Sequence, residues 1–178
     1  MEKMIVVDVE KCMSCHNCEL ACTVAHSESK DIIQLIYSME KPEQRIILER
    51  FENSTVPIHC RHCEDAPCVA VCPSGAITHP APNSPVVLDS DRCIGCHACI
   101  LVCPFGVIQV GKDGKSMIKC DLCFDRLKEG KEPACAEACI TNAIQYISID
   151  EYTIKKREEY TKKYLVAIQK GELISEEQ

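Results

Sequence analysis

Cysteine is the residue type that sets the chemistry of this chain. Cys12, Cys15, Cys18 and Cys22 open the series in CMSCHNCELAC. Cys60, Cys63, Cys68 and Cys72 follow in CRHCEDAPCVAVCP, and Cys93, Cys96, Cys99 and Cys103 in CIGCHACILVCP. Cys120, Cys123, Cys135 and Cys139 complete it in CDLCFDRLKEGKEPACAEAC. These four groups use all 16 cysteines of the 178 residues. Such density indicates a disulfide scaffold or a metal protein. The start, MEKMIVVDVEKC, carries Glu2, Asp8 and Glu10 and no long apolar run, so it does not read as a secretory signal. No stretch reaches the roughly eighteen apolar residues of a membrane span. The expected location is therefore the cytoplasm, a reducing compartment where structural disulfides rarely persist, and metal binding is the working assumption.

Spacing chooses the metal. Cysteines two residues apart in a loop can turn three sulfurs inward around a cubane, while the fourth, a helical turn further on, faces the opposite way. Pro73 and Pro104, each directly after a fourth cysteine, help to fix the chain where it leaves the loop. This is the bacterial two-cluster ferredoxin spacing, in which the fourth cysteine ligates the other cluster. Four-cysteine zinc sites usually come as separated C-x2-C pairs, whereas two groups here pack three overlapping thiolates within seven residues. The expectation is four [4Fe–4S] clusters of four thiolates each, with no group short of a ligand and no sign of a three-iron cluster.

The formal charge of −7 argues against nucleic acid as a partner, since backbone binding wants a basic stripe. Cubanes add about −2 each when oxidised, which brings the loaded protein to roughly −15. Adding an electron to so negative a molecule costs energy unless N–H donors offset it, and low reduction potentials are the expectation.

With the cysteine groups in place, the chain resembles the four-cluster iron–sulfur subunits of redox enzyme complexes over roughly residues 3 to 147. The resemblance implies that groups one and four pair, and groups two and three. Carried over, cluster A takes Cys12, Cys15, Cys18 and Cys139, and cluster B takes Cys22, Cys120, Cys123 and Cys135. Cluster C takes Cys60, Cys63, Cys68 and Cys103, and cluster D takes Cys72, Cys93, Cys96 and Cys99. The stretches CELACTVAHS, KPEQRIILE, CRHCEDAPCVAVCPSGAI and CIGCHACILVCPFGVI are most similar to the ferredoxin-like subunit that accepts electrons from CO dehydrogenase. Ile140 departs from the family, which often has Pro after the last cysteine of group four, and this bears on the local turn rather than on cluster A.

The elements that must position the cysteines are short. MIVVDVE and PVVLDSD are β-branched runs leading into groups one and three, and AITH, VIQV and AIQYISI follow groups two, three and four. GKDG at 111–114 reads as a turn. Between Cys22 and Cys60, RIILERF alternates weakly and IQLIYSM is apolar enough to be partly covered. The expected fold is α+β: two interlocked bacterial dicluster ferredoxin-like lobes, βαβ repeats around four cubanes, plus a C-terminal helix. Residues 1–50 with 112–150 form one lobe, holding clusters A and B. Residues 55–111 form the inserted lobe, holding clusters C and D. Residues 151–178 form the helical extension, in which Tyr160, Tyr164 and Ile168 share a face and Gly171 is a candidate stop. That face either folds back on its own lobe or docks a partner or a second copy.

No residue stands out as a catalytic group. His16, His62 and His97 lie within cysteine loops, but with cysteine filling each ligand position they read as surface or supporting histidines. His26 reads as capping or packing near cluster B, and Glu64 and Asp65 as a loop-shaping pair. No phosphate-binding glycine motif is present. The resemblance implies an electron-transfer subunit without its own substrate site. It would carry low-potential electrons from CO dehydrogenase toward a hydrogenase or a flavin–NAD(P) oxidoreductase. The alternatives are a subunit of a formate dehydrogenase or iron-only hydrogenase complex that reduces carbon dioxide, and a freely diffusing polyferredoxin. A redox sensor or structural zinc protein would hold few clusters.

Overall fold

The computed structural model describes residues 3–38 and 42–170. The described residues divide into two compact units, one within Ile5–Tyr146 and the other built on 147–170 with Lys3 and Met4.

Among the described residues, the strands form four two-stranded ribbons. β1 (Lys3–Val7) pairs with β8 (Ile144–Ser148). β2 (Ile47–Phe51) pairs antiparallel with β3 (Ser54–Ile58), in register from Ile47 opposite Ile58 to Phe51 opposite Ser54. β4 (Ile77–Thr78) pairs with β5 (Val87–Leu88), and β6 (Gln109–Val110) with β7 (Met117–Ile118), both antiparallel. The 111–114 stretch makes the turn of the last ribbon. Gly111 N–H donates to the Ser116 carbonyl at 2.8 Å, and the Asp113 carboxylate accepts from the N–H groups of Lys115 and Ser116. β3 and β7 were not foreseen. Pro57 within STVPI argues against a strand, and it is accommodated here because β3 has a partner on one side only.

Among the described residues, six short α-helices lie between the ribbons: α1 (Asn17–Ala25), α2 (Ile32–Tyr37), α3 (Pro67–Ala70), α4 (Ala98–Val102), α5 (Phe124–Lys128) and α6 (Ala134–Glu137). Asp31 caps α2 by accepting from the Gln34 N–H at 2.9 Å. The expectation that IQLIYSM is partly covered needs correcting. Ile33, Ile36 and Tyr37 are 60%, 68% and 85% exposed, and Leu35 alone of the helix is half-buried. Six residues make fewer than two turns, so the helix has little apolar face to bury.

Two main buried clusters form the interior. One joins Ile5, Ile46, Leu122 and Ile144 to Cys18, Cys22 and Cys135. The other joins Ile77, Val86, Ile108 and Met117 to Cys99, with Cys63, Cys68, Cys72, Cys93 and Cys103 at its edge. A small third cluster consists of Cys60, Val107 and Cys120.

In the second unit, α7 (Ile149–Lys170) starts with the Ser148 hydroxyl accepting from the Glu151 N–H at 3.1 Å. Charged pairs one turn apart run along it: Glu151–Lys155, Lys156–Glu159 and Glu159–Lys163. Tyr160 and Tyr164 stack with ring centroids 6.1 Å apart. Both, and Ile168, are exposed. The Gly171 stop lies outside the described residues.

Candidate iron–sulfur centres

One backbone device recurs in all four cysteine groups. The residue just before the second cysteine has a left-handed conformation: Ser14 (φ 58°), His62 (φ 49°), Gly95 (φ 69°) and Leu122 (φ 61°). Non-glycine residues adopt this conformation at a cost, so three of them in equivalent positions mark a constraint on the loop. The geometry shows its use. The His62 N–H points back to the Cys60 sulfur at 3.4 Å, and the Leu122 N–H to the Cys120 sulfur at 3.4 Å. Two further amides aim at sulfur, Arg45 N–H at Cys22 (3.2 Å) and Ile144 N–H at Cys139 (3.3 Å). Such nests of N–H groups favour negative charge on the sulfur.

A second device follows the fourth cysteine. Gly75, Gly106 and Asn142 are left-handed, and each N–H donates to the carbonyl of the cysteine three residues earlier, Cys72, Cys103 and Cys139. Group four therefore makes the same turn as groups two and three although Ile140 stands in the proline position. Ile140 does not alter the local turn; Asn, which tolerates the left-handed region, takes the part of Gly.

Two cavities gather cysteines in fours. Cys12, Cys15, Cys18 and Cys139 line one, with Leu48, Pro57 and Ile144. Cys60, Cys63, Cys68 and Cys103 line the other, with Val86, Phe105 and Ile108. Each set takes three sulfurs from one group and the last from another. Burial pushes the Cys135 thiol up, and the charges of the Cys120, Cys123, Cys22 and, least, Cys18 sulfurs push it further. The Cys99 thiol is raised by burial and, less, by the charges of the Cys93 and then the Cys68 sulfur.

All sixteen cysteines are free of disulfides. Cys18, Cys22, Cys60, Cys99, Cys120, Cys123 and Cys135 are buried, whereas Cys15 and Cys96 are exposed. Burial pushes the Cys18 thiol up to about 12 and the Cys123 thiol to about 11, and raises Cys120 strongly. Thiols so reluctant to ionise become thiolates when a metal supplies positive charge. This donor set, sulfur only and lined by N–H groups and aliphatic side chains, fits iron–sulfur clusters.

The histidines fall out unequally. His16 is exposed and pairs with Glu19 at 2.6 Å, and His97 is exposed. His62 is buried, and among the described residues neither ring nitrogen has a partner; burial pushes it down to about 3. His26 does the packing expected of it. Its Nδ1 lies 2.7 Å from the Cys22 carbonyl oxygen and its Nε2 3.0 Å from Asp121 Oδ1. Arg45 holds the other Asp121 oxygen at 2.6 Å. These residues line a cavity of about 760 Å³ between α1, α5 and α6. Donor atoms of His26, Asp121 and Cys123 come within 4.8 Å of one another, but the first two are already bonded together and Cys123 is an expected cluster ligand. Glu64 and Asp65 are exposed at a bend.

Comparison with known proteins decides the family. Two models, both described as a 4Fe-4S dicluster domain, match residues 51–149 and residues 11–77. This protein belongs to the 4Fe-4S dicluster family. It is 40% identical over 167 residues to an "Iron-sulfur protein" of Rhodospirillum rubrum, covering 87% of each of the two. Over 159 residues it is 36% identical to "Electron transport protein HydN" of Escherichia coli, covering 81% of this chain and 87% of that one. "Thiosulfate reductase electron transfer subunit PhsB" of Salmonella typhi is 36% identical over 151 residues, 84% of this chain and 77% of that one. Two dicluster domains and sixteen cysteines give four [4Fe–4S] clusters. The last two relatives are named for electron transport and electron transfer. No helix among the described residues is long and apolar enough to cross a membrane.

Proposed function

We propose that this dicluster protein is a four-cluster electron relay between a catalytic subunit and an acceptor. The clusters accept and release one electron at a time; the chain holds them, screens them from water and sets their charge balance. Cluster A is held by Cys12, Cys15, Cys18 and Cys139, and cluster C by Cys60, Cys63, Cys68 and Cys103. The two four-cysteine cavities carry this reading. Cluster B is held by Cys22, Cys120, Cys123 and Cys135, supported by the mutual approach of their sulfurs. Cys72, Cys93, Cys96 and Cys99 remain for cluster D. Clusters A and B thus belong to a lobe of residues 1–50 and 112–150, and C and D to the lobe 55–111 inserted in it. The order A–B–C–D is supported by Cys60 and Cys120, one from C and one from B, which share a buried cluster. Single Cys→Ser variants test the sets by EPR. Cys12→Ser and Cys139→Ser alter one and the same signal, and Cys22→Ser and Cys135→Ser a different one; two distinct losses within either pair overturn the assignment.

The catalytic partner in this reading is a nickel CO dehydrogenase, and the acceptor a hydrogenase or flavin–NAD(P) oxidoreductase. Its support is the likeness of CELACTVAHS and CRHCEDAPCVAVCPSGAI to the subunit that serves that enzyme. A second reading, a subunit of another oxidoreductase, is favoured by the similarity to the electron transfer subunit of thiosulfate reductase. Anaerobic copurification separates them. CO dehydrogenase elutes with the chain and CO reduces its clusters on the first reading; a different oxidoreductase in the same fractions establishes the second.

A further inference from the structure

We propose that Lys119 is a fixed positive charge at the junction of clusters B and C, which makes those two inner clusters easier to reduce than they would be without it. The proposal rests on the ligand sets just given. Lys119 is 3% exposed, and among the described residues it is the one buried lysine or arginine. Its Nζ donates to the Val86 carbonyl at 2.5 Å, to the Cys120 carbonyl at 2.8 Å and to the Cys60 sulfur at 3.8 Å. Three acceptors match the three N–H donors of an ammonium; a neutral amine has two.

A buried ammonium needs a counter-charge. Among the described residues no carboxylate pairs with it within 4.0 Å. The nearby Asp121 carboxylate is engaged by His26 and Arg45 instead. The negative charge within reach is carried by sulfur. Cys60 is a direct contact, Cys120 is the next residue, and both lie in the buried cluster with Val107. The lysine's charge also reaches the thiol of Cys68, a third sulfur of the B and C sets. In so dry a place a full charge acts strongly, because little solvent screens it. The ligands of A and D make no hydrogen bond to this ammonium among the described residues. The charge therefore favours an electron on B or C, compared with the same two clusters beside a neutral side chain.

Potentiometric EPR on the anaerobically reconstituted full chain tests this, with Lys119→Gln, Lys119→Met and Lys119→Arg beside the parent. Iron analysis comes first. A parent binding well under about sixteen irons overturns the ligand sets themselves, before any lysine variant is considered. In loaded Gln and Met variants, two of the four potentials move down and the other two stay. No movement, or an equal movement of all four, overturns the proposal. Loss of iron from Gln and Met with full iron and parental potentials in Arg supports it, since charge is then what assembly needs. Loss of iron from all three overturns it and leaves Lys119 a packing role.

Discussion

Gly95 and Lys115 meet backbone to backbone: a Cβ on Gly95 would stand 2.5 Å from the Lys115 carbonyl oxygen. At φ 69° this residue is the group-three member of the left-handed series that precedes each second cysteine. Ser14, His62 and Leu122 bear side chains there, so conformation alone does not demand glycine in group three; the neighbouring carbonyl does. Gly95→Ala is expected to cost about 1–3 kcal/mol and to drain iron from one cluster first. Iron content and thermal unfolding of the loaded protein check this, and unchanged values for both would contradict it.

The turn after Cys139 invites the reverse experiment. Ile140 is 66% exposed and stands where Pro73 and Pro104 stand in groups two and three. Ile140→Pro is expected to leave iron content unchanged and to stabilise by up to about 1 kcal/mol, by restricting the unfolded chain. Asn142→Val, which forces a β-branched residue into a left-handed site, is expected to destabilise by about 1–2 kcal/mol. Equal melting temperatures for these two variants would refute the account of the turn.

His26 and Asp121 give the fold a pH window. Burial opposes the imidazolium, but the hydrogen bonds to Asp121 and then to the Cys22 sulfur, 3.6 Å from Nδ1, outweigh it and raise His26 to about 9. Burial likewise opposes the Asp121 carboxylate, and His26 and Arg45 more than compensate, holding it well below the usual range. The histidine's contribution is complete below its unfolded value of about 6.5 and disappears as pH rises through about 9. The aspartate's is complete above about 4 and disappears as pH falls below that. His26→Gln should therefore lose about 2–3 kcal/mol relative to the parent at pH 7 and much less at pH 10. Anaerobic denaturant titrations at the two values read the difference, and an identical loss at both would exclude the ion pair as its source.

All sixteen cysteines lie within the unit that ends at Tyr146. Removal of residues 149–178 is expected to leave the iron count and the four EPR signals as they are. Should the truncated chain fail to bind iron, α7 would have a structural part in loading that its exposed side chains do not suggest.

Much of the site was readable in one dimension because ligand spacing is a local property. Three thiolates at fixed intervals need no knowledge of the fold, and the strands in MIVVDVE, AITH, VIQV and AIQYISI followed from β-branched runs. RIILERF too became a strand, β2. Its partner β3 was hidden by Pro57 and by a turn, at Glu52 and Asn53, that lacks glycine. The interactions least visible were long-range and charged. Arg45, Asp121 and His26 come from segments up to 95 residues apart. Lys119 has no sequence signal beyond its place between Ile118 and Cys120.

Among the described residues the ribbons are two strands wide, and the helices inside the cysteine-bearing unit run to nine residues at most. Neither is stable by itself in water. Thiolate links from distant parts of the chain to a common mineral core must supply the cross-bracing that a broad sheet gives other proteins. Exposure to oxygen would then do more than interrupt conduction: each corroded core would release its surrounding loops, and proteases would remove the damaged molecule.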